Sequence, residues 1–259
     1  MFIDIAALKN SSRVIMRETR PGVYPVAVLY IVITTVISSL IAVLSGATEF
    51  YRNAMTAISM NTAVTYGDLI NLMPRPQLIS EILIVVLSLT SMIVGAGYEF
   101  YCLKVSRRVA ASYRDVVSGF NELGKVVAIC VLRAVFVFLW SLLFVIPGIV
   151  AAYRYSMAFY VLYDHPEMSA MDCIRESKRL MRGNKGLLFV THLSFLGWII
   201  LSSVIASVLG MLLNFSFPIL DIYIAPYMGI TEANFYNALL IHDGQQPNAD
   251  FTSSDRYDL

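Results

Sequence analysis

The 259-residue chain is 58% hydrophobic and only 14% charged, with a mean hydropathy of +0.68. A soluble domain carries about 25% charged residues, so this composition excludes a water-soluble globular protein. The net charge of +1 is near neutral, but the basic residues cluster in a few short segments and nothing points to nucleic acid. In chain order, Lys9, Arg13, Arg17 and Arg20 precede an uncharged apolar run, Val23–Ala47. About 20 apolar residues at ~1.5 Å rise cross a ~30 Å hydrocarbon core, so this run reads as a first transmembrane helix. It exceeds the ~7–15 residues of a signal-peptide core, and further spans follow, so it is expected to stay uncleaved despite the small residues Ser45-Gly46-Ala47. A polar connection, Thr48–Gln77, follows, with Thr48 placed to cap a short helix towards Met60 and Pro74 and Pro76 placed to stop the chain. Further spans are predicted over Leu78–Leu103, Lys125–Ile146, Gly148–Tyr163, Gly186–Leu213 and Phe217–Ile241. Ile146-Pro147-Gly148 marks a tight turn between the third and fourth.

Charge sets the orientation. With six spans, one side receives Lys9 to Arg20, Lys104 to Lys125, Arg175 to Lys185 and finally Arg256; the other receives only Arg52 and Arg75. Basic residues in short loops stay cytoplasmic, so both termini are predicted to be cytoplasmic. A single kinked helix across Pro147 would give five spans and put Arg175–Lys185 outside.

The basic segments repeat. Leu8-Lys9-Asn10-Ser11-Ser12-Arg13-Val14-Ile15 aligns with Ile174-Arg175-Glu176-Ser177-Lys178-Arg179-Leu180-Met181, and Tyr113–Leu123 occupies the equivalent place more weakly. Ser169-x-x-Asp172 is a capping-box pattern. At about 100° per residue Leu8, Val14 and Ile15 face away from Lys9, Arg13, Arg17 and Arg20, the pattern of an interfacial helix. The expected fold is therefore an all-α polytopic membrane protein, six transmembrane helices arranged as three hairpins, each preceded by a cytoplasmic amphipathic helix. Residues 1–241 form a single membrane domain and 242–259 a polar, disordered cytoplasmic tail. Repeats of this kind often frame transporters, although basic helices also simply anchor loops to anionic headgroups, at ~1 kcal/mol per Lys or Arg. Small residues four apart (Ser91/Gly95, Ser203/Ser207, Ala206/Gly210) suit close helix packing.

Chemistry-bearing motifs are few. Gly119 to Lys125 matches most of a Walker A pattern, but Val126 stands where Ser or Thr must follow, and no strand precedes it. Cys102, Cys130 and Cys173 are isolated, and His165, His192 and His242 lie in different elements, so neither a disulfide framework nor a metal site is expected. Asn214-Phe215-Ser216 is a formal glycosylation sequon with nothing around it to support a secretory context. One constellation remains: Glu99, Arg133, Arg154, His192 and Glu232 fall inside predicted spans, each roughly 6–14 Å from the cytoplasmic ends. A lone charge at mid-bilayer costs ~2.5–3.5 kcal/mol, so Arg133 and Arg154 are expected to pair with Glu99 or Glu232. The sixth span, with Asp221, Tyr223, Tyr227, Glu232, Asn234, Tyr236 and Asn237 around Pro226, is the most polar and the candidate to line a cavity.

A family resemblance joins these residues. Gly119-Phe120, Ile146-Pro147-Gly148, Tyr155-Ser156-Met157-Ala158, Pro166, Ser169, Ser177, Leu180-Met181-x-Gly183, Leu193-Ser194-Phe195-Leu196-Gly197-Trp198, Pro226-Tyr227 and Phe235-Tyr236 resemble the bacterial membrane family called domain of unknown function 975. That family is in turn distantly similar to the membrane-anchoring domain of glycerophosphodiester phosphodiesterases. The resemblance spans Tyr98 to Ile241 and extends loosely to the N-terminal third. It implies a bacterial plasma membrane and no defined activity, and it carries over no catalytic residue. The chain has no room for the phosphodiesterases' soluble catalytic barrel.

The functional expectation is a non-catalytic membrane protein, without cofactor, that organises or modulates lipids or partner proteins, with anionic headgroups at its cytoplasmic face as partners. The alternatives are a small permease with a polar cavity in its cytoplasmic half, and a membrane-embedded lipid-modifying enzyme.

Overall fold

The computed structural model describes residues 3–19, 22–59, 77–213 and 217–245, and every regular element among them is helical. In chain order these are α1 (Ile5–Glu18), α2 (Val23–Leu44), α3 (Ala47–Ser59), α4 (Leu78–Ser106), a 3₁₀ helix (Tyr113–Glu122), α5 (Leu123–Leu143), α6 (Val145–Arg154), α7 (Ala158–Asp164), α8 (Ala170–Leu180), α9 (Lys185–Leu213) and α10 (Asp221–His242). Among the described residues, five stretches are long and apolar enough to cross a bilayer: Val23–Leu44, Leu78–Ser106, Tyr113–Leu143, Val145–Asp164 and Lys185–Leu212. The predicted sixth span, α10, is not among the five, because its polar residues dilute its apolar ones. Its C-terminal half is instead buried within the protein, from Ile230 to Leu240 with only Glu232 partly exposed. A helix sheathed by other helices need not be apolar to sit in a membrane protein.

The chain forms two compact units, residues 32–92 and residues 1–31 with 93–259. The first holds most of α2, all of α3 and the beginning of α4. Its apolar side chains are widely exposed, among them Val36, Val43, Leu78, Ile79 and Val85, as on a surface that meets lipid. Helix α3 starts after Gly46, which adopts φ +68°. Thr48 lies inside the first turn rather than capping it, and Ser45 Oγ accepts from the Ala47 amide at 3.4 Å. Pro74 and Pro76 lie outside the described residues, as do the sequon at Asn214 and all but the first residues of the 242–259 tail.

In the second unit, α5 and α6 form a helical hairpin. The reversal sits at Phe144, whose extended backbone (φ −163°, ψ 156°) is the single residue between them, three positions before the expected Pro147. Pro147 falls in the first turn of α6, where its missing N–H costs nothing. Gly148 faces Ser141 across the hairpin so closely that a Cβ would collide with the serine side chain. The predicted fourth span is broken: α6 ends at Arg154 and α7 begins at Ala158. Ser177 of α8 holds the break by donating to the Arg154 carbonyl and accepting from the Met157 amide, both at 3.1 Å.

The three short polar helices pack on buried helical segments. Helix α8 packs on α7 and α1 on α10. The 3₁₀ helix meets α4, where a Cβ at Gly97 would strike the Val116 carbonyl and one at Gly119 the Ile93 carbonyl. Each receiving helix carries a buried Phe–Tyr pair: Phe100-Tyr101 on α4, Phe159-Tyr160 on α7 and Phe235-Tyr236 on α10, all at most 5% exposed. Tyr160 and Tyr236 stack at 5.3 Å. The small-residue pairs behave differently from the expectation. Ser203 and Ser207 are exposed and bond their own helix backbone, and a Cβ at Gly95 would meet nothing within 4 Å. The close crossing is instead at Gly229, where a Cβ would press on Cys102 Sγ.

Burial also corrects the repeat register by one residue. Helix α1 buries Leu8, Ser12, Ile15 and Met16, and α8 buries Cys173 and Ile174, then Ser177, Leu180 and Met181. The matching inner positions are therefore Leu8 with Cys173, Ser12 with Ser177, Ile15 with Leu180 and Met16 with Met181. Helix α1 runs beside α10 in the same direction. Ser12 Oγ accepts from Thr231 Oγ1 at 3.1 Å and Asn234 Nδ2 at 2.9 Å. Arg13 and Arg17 are exposed, but so is Val14, and Lys9 is half-buried against α9; Arg20 lies outside the described residues.

Candidate functional site

At the end of α6, before the break, Tyr153 meets α9 and Arg154 faces α5. His192, on α9, places Nε2 2.9 Å from Glu232 Oε1 and Nδ1 3.3 Å from Tyr153 Oη. With Glu232 ionised and acceptor-only, Nε2 carries the hydrogen and Nδ1 accepts from the tyrosine, so a neutral imidazole satisfies both contacts. Histidine and glutamate side chains are 26% and 22% exposed, at the edge of the packed interior rather than inside it.

The other predicted members do not pair as expected. Arg133 lies over the Phe159 ring at 5.3 Å and Arg154 over the Trp140 ring at 5.6 Å. Neither reaches a carboxylate within 4 Å among the described residues. Cation–π contact, worth about 0.5–2 kcal/mol, takes the place of ion pairing. Glu99 feels the charges of Arg133 and Glu232, but its Oε2 is buried without a hydrogen-bond partner among the described residues. The structure thus joins His192 to Glu232, sets Glu99 and Arg133 near one another without contact, and leaves Arg154 on an aromatic face. The triple of Tyr153, His192 and Glu232 can hold and pass a proton. Among the described residues, no three His, Cys, Asp or Glu side chains gather as metal ligands would.

The tightest polar group was not legible in the sequence. Arg107, counted there among loop cations, is only 3% exposed. It donates from Nη1 to Asp164 Oδ1 at 2.5 Å and from Nη2 to Asp164 Oδ2 at 2.8 Å, and from Nε to Asn237 Oδ1 at 3.0 Å. Tyr236 Oη donates to Asp164 Oδ2 at 3.0 Å, and Asn237 Nδ2 to Ser106 Oγ at 3.0 Å. One network therefore ties the ends of α4, α7 and α10, and it accounts for the polar residues that made α10 look like a cavity wall. At the solvent edge, Arg179 forks between Glu176 and Asp243, and its hydrogen bonds hold the Asp243 carboxyl below the usual carboxylate range.

Residues 142–242 match the model of a family described as a protein of unknown function (DUF975). This is the family whose motifs the sequence resembles. The matched segment runs from the α5–α6 turn to the end of α10. It contains the Ser177 clip, two of the three Phe–Tyr pairs, and Tyr153, Arg154, His192 and Glu232; Glu99 and Arg133 lie before it. No curated protein and no solved structure matches the chain.

Proposed function

We propose that this is a non-catalytic, multi-pass protein of the plasma membrane that engages anionic phospholipids through its cytoplasmic face and organises them there. The observation that carries the reading is the separation of charge. Arg13, Arg17, Lys178 and Arg182 are exposed on or beside the short polar helices, and none makes an ion pair among the described residues. Inside, Arg107 is paired with Asp164, and the space around α10 is filled by Phe235, Tyr236, Tyr160 and Phe195. Free surface cations attract an anionic leaflet at ~1 kcal/mol each. A packed interior argues against a conduit.

The topology that goes with this reading has six spans and both termini cytoplasmic, with α10 as a protein-sheathed sixth span. The clustering of cations supports it. A cysteine placed at Lys178 should react with a membrane-impermeant maleimide only in inverted vesicles; reaction in right-side-out cells would refute the orientation. The lipid reading is tested by extracting the protein from nanodiscs of equimolar phosphatidylglycerol and phosphatidylcholine and weighing the retained lipids by native mass spectrometry. Enrichment of phosphatidylglycerol is expected, and an unbiased lipid complement would refute it. The permease reading draws on the Tyr153–His192–Glu232 contact, since such chains occur in proton-coupled transporters. Proton uptake into proteoliposomes that is lost in Glu232→Gln would favour it.

A further inference from the structure

Lys9 projects from α1 into the seam between α9 and α10. Its Nζ donates to Ser194 Oγ at 3.0 Å and stands 4.4 Å above the Phe195 ring and 5.8 Å from that of Tyr227. The Arg13 guanidinium, one turn on, lies 5.3 Å from the same Tyr227 ring. Two cations thus share one aromatic floor, and the floor is rigid: Phe195 is fully buried and Tyr227 is 3% exposed. Neither cation has a carboxylate within pairing distance among the described residues. Burial holds the lysine below its ordinary range, and the neighbouring Arg13, another cation, adds to it. Tyr227 Oη is buried, with the Arg13 guanidinium as its neighbouring donor.

Such an arrangement is unfavourable by itself. Cation–π contact offsets part of the repulsion, but a lysine and an arginine brought together over apolar rings still lack a counter-charge. One ligand would supply that counter-charge. An anion with several acceptor oxygens would accept from Lys9, from Arg13 and from the tyrosine hydroxyl as Arg13 swings off the ring, and charge-assisted bonds of this kind are the strong ones. The seam opens beside exposed Ser194, Leu193, Leu196 and Tyr223. An anion arriving with an apolar tail would find its chains covered there.

We infer that Lys9, Arg13, Ser194 and Tyr227 form a binding site for the phosphate of an anionic membrane phospholipid, seated between α1, α9 and α10. This rests on the proposed engagement of anionic lipids and assigns it a place. The site also gives α1 a role beyond anchoring, because Ser12, between the two cations in sequence, is locked to Thr231 and Asn234 and fixes their position.

The test uses the full chain in a neutral detergent, titrated with dioctanoyl phosphatidylglycerol, dioctanoyl phosphatidylcholine or inorganic phosphate, with the dissociation constant read by thermophoresis. The wild type should prefer the phosphatidylglycerol. Lys9→Gln combined with Arg13→Gln should weaken that binding roughly tenfold or more, the scale of losing charged hydrogen bonds. The charge-matched pair Arg114→Gln and Arg175→Gln should leave it unchanged. Tyr227→Phe keeps the ring and should weaken binding severalfold; it decides the matter if the double variant does not fold. A wild type with no preference between the two lipids overturns both this site and the broader reading. A preference that survives in Lys9→Gln with Arg13→Gln or in Tyr227→Phe, or that falls equally in the Arg114 and Arg175 control, overturns the site and leaves the broader reading standing. Saturable competition by millimolar inorganic phosphate overturns the lipid as the source of the anion.

Discussion

Replacing Asp164 by alanine removes the acceptor that satisfies two arginine nitrogens and a tyrosine hydroxyl. Arg107 and Asp164 side chains are 2% and 3% exposed, so water cannot replace the lost carboxylate. Breaking one side of such a buried pair costs ~3–5 kcal/mol, because the remaining charge is left uncompensated. For a domain of this size ~1 kcal/mol moves the melting midpoint by about 2–4 °C, so a fall of roughly 6–20 °C is expected. Arg107→Met with Asp164→Leu removes both charges while keeping much of the volume, and it should recover a large part of that loss. The assay is thermal unfolding of the purified protein in one detergent, following intrinsic fluorescence for the wild type, Asp164→Ala, the single variants Arg107→Met and Asp164→Leu, and their double. The single losses should exceed the double loss. A drop of less than about 1 kcal/mol for Asp164→Ala would refute the reasoning. So would strict additivity, since residues in one network are expected to couple by 0.5–3 kcal/mol.

Ser177→Ala leaves the Met157 amide and the Arg154 carbonyl without their partner at the helix break, and should cost ~1–3 kcal/mol in the same melts; protection of the Met157 amide by hydrogen exchange should fall first. Gly97→Ala forces a methyl against the Val116 carbonyl, which is backbone and cannot rotate away, so destabilisation of ~1–3 kcal/mol is expected, whereas Gly95→Ala, with open space, should be near neutral by the same melts. Cys173 is fully buried and burial pushes its thiol up to about 11. It should resist maleimide at pH 7 in the native protein and react only after denaturation; rapid native labelling, followed by mass spectrometry, would contradict the packing of α8 on α7.

The class of fold was written in the sequence because it depends on local composition. Val23–Leu44 and Lys185–Leu212 are apolar over their whole lengths, and any environment but lipid would penalise them. Helix ends followed for the same reason. Val23, Leu78 and Leu213 stand where the apolar runs begin or end, and Ser169 caps α8 through its own side chain. His192 and Glu232 were legible as a depth, since both ionisable groups sit a similar distance from the basic ends of their helices.

Partners and registers were not legible, because they depend on which helix faces which. The turn between α5 and α6 falls at Phe144 rather than at Pro147-Gly148, since Pro fits the first turn of a helix as well as a loop, and only the approach of Ser141 to Gly148 fixes the crossing. The inner face of the repeated segments moved by one residue because sequence similarity weighs the exposed cations equally with the buried Ser12 and Ser177, whereas packing weighs only the latter. Arg133 and Arg154 found aromatic rings instead of carboxylates, and Arg107, one of several arginines after α4, was drawn inside. Composition could say that charge inside the protein must be compensated. The tertiary structure decided that Asp164 and Asn237 compensate Arg107, because only the meeting of α4, α7 and α10 brings a carboxylate, an amide and a phenol to one guanidinium.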